Sequence, residues 1–436
     1  MSTSHAPVSQ IERLRKQLLT DATDPVSVAR EALDHANSNC SRNVYLAQDR
    51  AWTLAEAGAL SQRFHDASRR PLLYGLPVSL KDCFDLAGFP TTCGSRFYAE
   101  HNGVAPADSW VAERLRSHGA VITGKTHLHQ LAYGITGENS DYGDCTQPRN
   151  AAWLTGGSSS GAAASVQEGS AVAAIGTDTG GSIRCPAALC GLAGYRSSVG
   201  LGSWRGAPHL AASFDTLGWL FRDLRDAPLL ANTLLDIPLV IHPVERTIRI
   251  GCVDSAFLFD AEPHVLQQFE AFKETLRGFD IYVESFDSST WEDSFDIFAP
   301  IQASEAAEIH AGYFDRFEPA IAERLAWGAS ISADKLRQLR SRHEGFCRGF
   351  DRLFESYDFL ILPCAPVSSL AAGANHSASR RKILRYTAPA SLAGTPVVAI
   401  PLDGAGVQLV GRHGNDAALV AFAAYLGEGQ REMLQR

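Results

Sequence analysis

A serine closing a glycine-rich turn and a lysine ending an apolar run are the residues whose types could do chemistry together. The stretch from Leu154 to Ala188 reads LTGGSSSGAAASVQEGSAVAAIGTDTGGSIRCPAA. Its first loop, Gly156-Gly157-Ser158-Ser159-Ser160-Gly161, leads into Ala162 to Glu168, which is small and helix-compatible. Its second loop, Gly176-Thr177-Asp178-Thr179-Gly180-Gly181-Ser182, follows a short apolar run from Ala171 to Ile175 that suits a buried strand. Glycines after a strand let the backbone turn sharply and aim several N–H groups at one spot. Ser182 therefore stands beside a ready-made anion site. A serine hydroxyl is a weak nucleophile and needs a base. No His–Asp pairing presents itself near Ser182, and lysine is the alternative. The candidate is Lys81, at the end of Gly75-Leu76-Pro77-Val78-Ser79-Leu80. Free lysine titrates near 10.4 and must fall by about three units to act at neutral pH, a cost of about 4 kcal/mol met by burial or a nearby positive charge. Asp82 would oppose that shift on contact, but adjacent strand residues point to opposite faces. A salt-bridged surface lysine is the plain alternative for Lys81 taken alone, and these residues leave it open.

Other patterns have weaker claims. GGSSSGAAAS has linker composition, but it lies between patterned segments. Gly157-Ser158-Ser159-Ser160-Gly161 is a literal G-x-S-x-G, yet a nucleophile elbow needs an apolar strand directly before it, and Ala151 to Thr155 is a poor one. Gly119 to Thr126, GAVITGKT, fits the Walker A spacing, but its middle residues are themselves a strand, so the match is a coincidence. His127 and His129 lack a third convincing ligand, and a structural role is expected of them. Arg196, Arg205 and Arg316 are candidate anion binders for which surface solvation is the default. Phe84 and Cys93 are expected near the site.

The elements that must position these residues alternate in type. Helices are expected at 8–20, 26–39, 49–67, 108–117, 223–235, 262–276 and 416–426. Strands are expected at 76–80, 120–123, 248–253, 281–284, 359–362, 397–400 and 407–410. Residues 143–155 read as an irregular surface loop, 194–208 resist assignment, and 368–379 are the most linker-like stretch. Such alternation argues for an α/β layered fold, in one domain spanning 1–436 with a helical excursion at about 290–356. The chain has 436 residues, 45% of them hydrophobic and 20% charged, with a net charge of −9. It shows no basic stripe for nucleic acid and no apolar run approaching a membrane span. The first residues lack an apolar signal core, which points to the cytoplasm. Nine scattered cysteines without a C-x-x-C pair argue against disulfides and cysteine zinc sites.

GGSSSGAAASVQEGSAVAAIGTDTGGSIRCPAALCGLAG resembles the signature of the amidase signature family almost without gaps. GLPVSLKDCFDLAGFPTTCGS resembles the segment that carries the family's lysine. Residues 124–129, 138–143, 213–218 and 392–396 fit as well, so the resemblance covers nearly the whole chain, with a core at about 70–220. It implies a mixed twisted sheet sandwiched between helical layers. It implies Ser182 as nucleophile, Ser158 as the bridging serine on a cis peptide bond, and Lys81 as base. It also implies an oxyanion hole from the backbone N–H groups of Thr179, Gly180, Gly181 and Ser182, with Asp178 and Arg184 in structural roles. Tyr195-Arg196 and Cys364 depart from the family's common lysine-proline and threonine. The implied reaction is hydrolysis of a C–N bond in a small amide, urea or carbamate through an acyl-enzyme, without metal or organic cofactor. The stretches 303–329 and 210–218 resemble the carboxybiuret-hydrolase branch. The alternative is the glutaminase component of a tRNA-dependent amidotransferase, which needs partner subunits. For the amidase reading the expected partners are a small-molecule amide substrate and at most a second copy of the chain as a homodimer.

Overall fold

The computed structural model describes residues 8–240, 247–279 and 281–434; the reading of residues 1–7 lies outside them. Thirteen strands are described: β1 (Tyr45–Ala47), β2 (Pro77–Lys81), β3 (Val121–Thr126), β4 (Thr146–Gln147), β5 (Asn150–Leu154), β6 (Ala173–Asp178), β7 (Ala193–Arg196), β8 (Thr216–Phe221), β9 (Arg249–Val253), β10 (Tyr282–Phe286), β11 (Phe359–Pro363), β12 (Val397–Leu402) and β13 (Ala405–Val410). Eleven of them form one sheet in the order β1-β3-β2-β6-β8-β7-β12-β13-β11-β9-β10, and β4 pairs with β5 separately. The sheet is mixed. β3, β2 and β6 run parallel, β8, β7, β12 and β13 alternate antiparallel, and β11, β9 and β10 are parallel again.

Every residue of β2, β6, β8, β11 and β13 is buried. A strand covered on both faces loses polar–apolar alternation and reads as a continuous apolar run. That explains why β2, β6 and β11 are visible as short runs in the sequence. It also explains why β8, in Thr216-Leu217-Gly218-Trp219, is missed: glycine and threonine interrupt its run.

Three expectations are corrected by the fold. Residues 143–155 are not irregular, because β4 and β5 form an antiparallel hairpin whose Trp153 bridges to Ala371. Residues 194–208 begin with β7, in mid-sheet, where Gly194 leaves room that a Cβ would fill against Ile183 and Ala187. The stretch 368–379 is not a linker. Leu370 is buried, its carbonyl accepts the Leu154 N–H at 2.8 Å, and the chain enters the helix Ser377–Leu392. The helical excursion is present as Ser294–Ile309, Pro319–Ala329 and Ala333–Leu353.

β2 and β6 are parallel neighbours, so their carboxyl ends, Lys81 and Asp178, emerge on the same side of the sheet. The helix Ser160–Glu168 packs on both strands and delivers the preceding serine loop to that side. It can do so because Gly161 has no side chain: a Cβ there would lie 2.2 Å from the Val44 carbonyl oxygen and 2.5 Å from the His127 nitrogen.

Candidate active site

Lys81 is completely buried. Its Nζ donates to Ser158 Oγ at 2.8 Å and to Thr177 Oγ1 at 2.7 Å. Among the described residues no carboxylate lies within ion-pair distance of it. Burial lowers its pKa from the usual lysine value, while Cys83, Asp178 and Asp215 pull weakly the other way. Asp82 points away, as strand alternation requires, and pairs with Lys125 at 2.6 Å. The surface-lysine reading of Lys81 is thereby excluded. Lys125, the lysine of the Walker-like string, is buried at the end of β3 with Asp82 and Thr91.

The two serine loops close on each other. The peptide Gly157-Ser158 is cis. The Gly157 N–H donates to the Ile135 carbonyl at 2.8 Å, and the Ser158 carbonyl accepts from His129 N–H at 3.2 Å. Ser159 N–H donates to the Ser182 carbonyl at 3.1 Å, joining the two loops directly. Ser182 is 3% exposed. Among the described residues no hydrogen bond joins Ser158 Oγ to Ser182 Oγ. Catalytic hydrogen bonds that are long without substrate commonly tighten when it binds.

The turn before Ser182 is held by its own carboxylate. Asp178 accepts from the Gly181 N–H at 2.7 Å, the Ile183 N–H at 3.0 Å and the Arg184 N–H at 3.3 Å. Its oxygens also pair with Arg184 at 2.8 Å and Arg196 at 3.0 Å, with all three side chains buried. Burial would raise the Asp178 pKa, but the two guanidinium groups and these N–H donors overcome it and hold the carboxyl far below its ordinary range. Arg196 is thus no surface arginine, correcting the default read from sequence; Arg205, beside exposed Glu113, does lie at the surface. Of the four expected oxyanion donors, Gly181 is already committed to Asp178. No acceptor among the described residues takes the N–H of Thr179, Gly180 or Ser182. Thr387 donates its hydroxyl to the Gly180 carbonyl at 2.5 Å and packs where a Gly181 Cβ would fall, fixing the turn from the helix Ser377–Leu392. Gly181, at φ +116°, adopts a backbone conformation that an L side chain rarely takes.

Sequence reasoning alone missed Thr177, Thr387 and Asp215. Thr177 sits in the signature loop, so its hydroxyl was a readable signal. Thr387 and Asp215 come from distant segments; Asp215 accepts from Thr179 Oγ1 at 2.6 Å. Cys93 lines a small cavity beside Thr177 and Thr179, of about 20 Å³, which is room for a water molecule. Both Cys93 and Phe84 belong to the main core, and Phe84 does not line that cavity. His127 is buried between Ser160 Oγ at 2.9 Å and the Gly143 carbonyl at 2.8 Å, and burial pushes its pKa down to about 4. His129 lies 3.3 Å from Glu318.

A buried lysine bonded to a serine hydroxyl, in a loop joined to a second serine loop whose N–H groups are free, is compatible with a serine-dependent acyl hydrolase. The family model described as Amidase matches residues 27–420, and the chain belongs to that family of amidases. It is 30% identical to a subunit of the glutamyl-tRNA(Gln) amidotransferase of Geobacter sulfurreducens, over 90% of each chain. It is 29% identical to a 2-amino-5-chloromuconic acid deaminase of Comamonas testosteroni, over 98% of each. A solved amidase superposes with a TM-score of 0.88 at 29% identity, covering 96% of this chain and 99% of that one. A component of a vestigial complex tied to the origins of an s-triazine catabolic enzyme superposes at 0.87, with 27% identity and coverage of 97% and 99%.

Proposed function

We propose that the chain hydrolyses the C–N bond of a small amide with Ser182 as nucleophile, Ser158 as proton relay and Lys81 as base. The observation that carries this reading is the buried Lys81 Nζ at 2.8 Å from Ser158 Oγ, with no carboxylate partner among the described residues. Ser182 Oγ attacks the carbonyl carbon as its proton passes to Ser158, and the Ser158 proton passes to Lys81. The oxyanion that forms accepts from the N–H groups of Thr179, Gly180 and Ser182; losing one such donor costs about 3 kcal/mol of barrier stabilisation. Collapse expels the amine, which takes a proton back through Ser158 from Lys81, and leaves an acyl-Ser182 ester. Water then attacks the ester and gives its proton to the same relay; collapse expels Ser182 Oγ, which takes that proton back through Ser158 from Lys81 as the acid is released.

The test is ammonia or amine release from simple primary amides, glutamine, biuret-type ureas, anilides and aryl carbamates, each beside Ser182→Ala. Release that vanishes in the variant supports the reading; equal release from both would overturn it. Two substrate directions are favoured, the first by the resemblance of 303–329 and 210–218 and the second by a relative's name. One is a small polar or urea-like amide. The other is the glutaminase reaction within an amidotransferase, supported by the 30% identical amidotransferase component; a second polypeptide co-purifying with the chain and raising glutamine turnover would select it. Two relatives are parts of complexes, which supports assembly with a partner chain or, as we propose, a homodimer; the native mass in solution distinguishes them. We place the enzyme in the cytoplasm; no helix among the described residues is long and apolar enough to cross a membrane. One domain is supported by the single sheet that collects strands from Tyr45 to Val410.

A further inference from the structure

The segment from His129 to Gly137 wraps the loop that carries Ser158. The His129 N–H donates to the Ser158 carbonyl at 3.2 Å, and the Ile135 carbonyl accepts from the Gly157 N–H at 2.8 Å. Gly137 packs against the same loop, where a Cβ on Gly157 would lie 2.9 Å from the Gly137 nitrogen. The wrapping segment holds an uncommon backbone. Leu131 and Ala132, each at φ +57°, adopt the left-handed conformation that residues other than glycine rarely take. Such geometry persists only where the surroundings over-determine it. Part of the support is close at hand: Leu131 N–H donates to the Cys93 carbonyl at 2.8 Å, and Ala132 N–H to the His129 carbonyl at 2.9 Å.

Further support comes from one residue of the helical excursion. Glu318 directly precedes the helix Pro319–Ala329. Its Oε1 lies 3.3 Å from His129 Nε2, and its Oε2 accepts from the Ser140 N–H at 3.3 Å. Its own N–H donates to Gln130 Oε1 at 2.8 Å, and Gln130 Nε2 donates to Asp141 at 2.8 Å. Burial would raise the Glu318 pKa, but the His129 and Ser140 bonds hold it below the ordinary value. The His129 ring fills the space beside Gly134, where a Cβ would fall 2.1 Å from Nε2. Glu318 is itself firmly placed. Its helix packs so closely on Ser294–Ile309 that a Cβ on Gly328 would lie 2.0 Å from the Ala303 carbonyl oxygen. Phe298, on that second helix, lies against Gly180 in the oxyanion turn. One helix pair thus reaches the Ser158 loop through His129 and the Ser182 turn through Phe298.

We infer that Glu318 is a positioning residue for the Ser158 relay. Acting through His129, it fixes the segment that grips the Ser158 loop, and so the 2.8 Å contact between Lys81 Nζ and Ser158 Oγ. The inference rests on the amidase reading and adds the residues that hold its relay in register. A misplacement of about 1 Å at a reacting group can cost about 100-fold in rate.

The test compares Glu318→Ala, Glu318→Gln and Gly134→Ala with wild type. Glu318→Ala should lower kcat about 10–100-fold with KM within about twofold, and slow sulfonyl fluoride labelling of Ser182 by the same factor. Glu318→Gln keeps an oxygen for His129 and Ser140 and should recover most of both rates. Gly134→Ala displaces the His129 ring while removing neither partner, and should behave as Glu318→Ala does; it carries the same comparison if Glu318→Ala does not fold. A loss confined to KM, with labelling at the wild-type rate, would make Glu318 a substrate contact and overturn the inference. Wild-type kcat and labelling in both alanine variants would overturn it too. If wild type neither hydrolyses an amide nor labels at Ser182, the amidase reading fails separately, and a crystal structure of the alanine variants decides the positioning claim. A Lys81 Nζ–Ser158 Oγ separation beyond hydrogen-bond distance supports it, and an unchanged contact contradicts it.

Discussion

The proposed base, Lys81, can act only as the neutral amine, and its surroundings favour that form. Burial lowers its pKa, and its two contacts are hydroxyls rather than carboxylates. The sign is therefore fixed: kcat/KM rises with pH while Lys81 loses its proton and levels off at a pH below the ordinary lysine value near 10.4. Lys81→Ala should cost about 10²–10⁴-fold in rate and abolish that limb; a pH–rate profile with the limb intact in the variant would show another base at work. Asp178 carries a structural load of the opposite kind. Removing its charge in Asp178→Asn leaves Arg184 and Arg196 buried with less compensation, and denaturant unfolding should show a loss of about 3–5 kcal/mol. Ser158 enters only through the family resemblance, whereas Ser182 and Lys81 are legible in sequence as candidates, because nucleophilic chemistry demands a nucleophile and a base. The engagement of the Gly181 N–H is not, since it depends on which way the Asp178 carboxylate folds back. Arg196 is not either, because its partner lies 18 residues away, beyond the helix Arg184–Cys190.

At the scale of elements, the site is a meeting of β2, β6 and the helix Ser160–Glu168, and that meeting tolerates little. Gly161→Ala would place a methyl against the backbone of Val44 and His127, so the helix must shift and carry Ser158 away from Lys81. Activity should collapse in that variant, and a crystal structure or amide exchange around Ser160 would show the displacement. His127 ties the same helix to the loop at Gly143. Its folded pKa of about 4 lies below the unfolded value near 6.5. The unfolded state thus binds more protons between these limits, and stability present above pH 6.5 is lost as pH falls toward 4, by about 3 kcal/mol in all. Denaturation midpoints at pH 7 and pH 4.5 should lose most of their difference at this site in His127→Gln. Helix signals were legible where caps exist: Asp24 and Pro25 open the helix Pro25–Ser38, and Asp24 Oδ1 accepts from Val26 and Ser27 N–H. The helix Ser377–Leu392 escaped because a polar Ser-Ala-Ser-Arg-Arg-Lys opening has no cap bond and Pro389 interrupts its end.

For the whole molecule, alternation of strand and helix was enough to give the layered α/β class, but not the order of strands. That order joins β7 to β12 and β8 to β6, pairings between distant segments that no local pattern encodes. One sheet running through the chain predicts one cooperative unfolding transition: far-ultraviolet circular dichroism and tryptophan fluorescence should give the same midpoint, and two separate transitions would argue for separate domains. β2 ends at Lys81 beside Ser158, and the loop of Ser158 is joined to that of Ser182 through the Ser159 N–H; the account stands on the three acting together. The most direct measurement is covalent labelling with a sulfonyl fluoride, followed by mass mapping of the modified peptide. One adduct on Ser182, absent in Ser182→Ala and formed much more slowly in Lys81→Ala, is the predicted result. An adduct on another residue, or undiminished labelling in Ser182→Ala, would contradict the account.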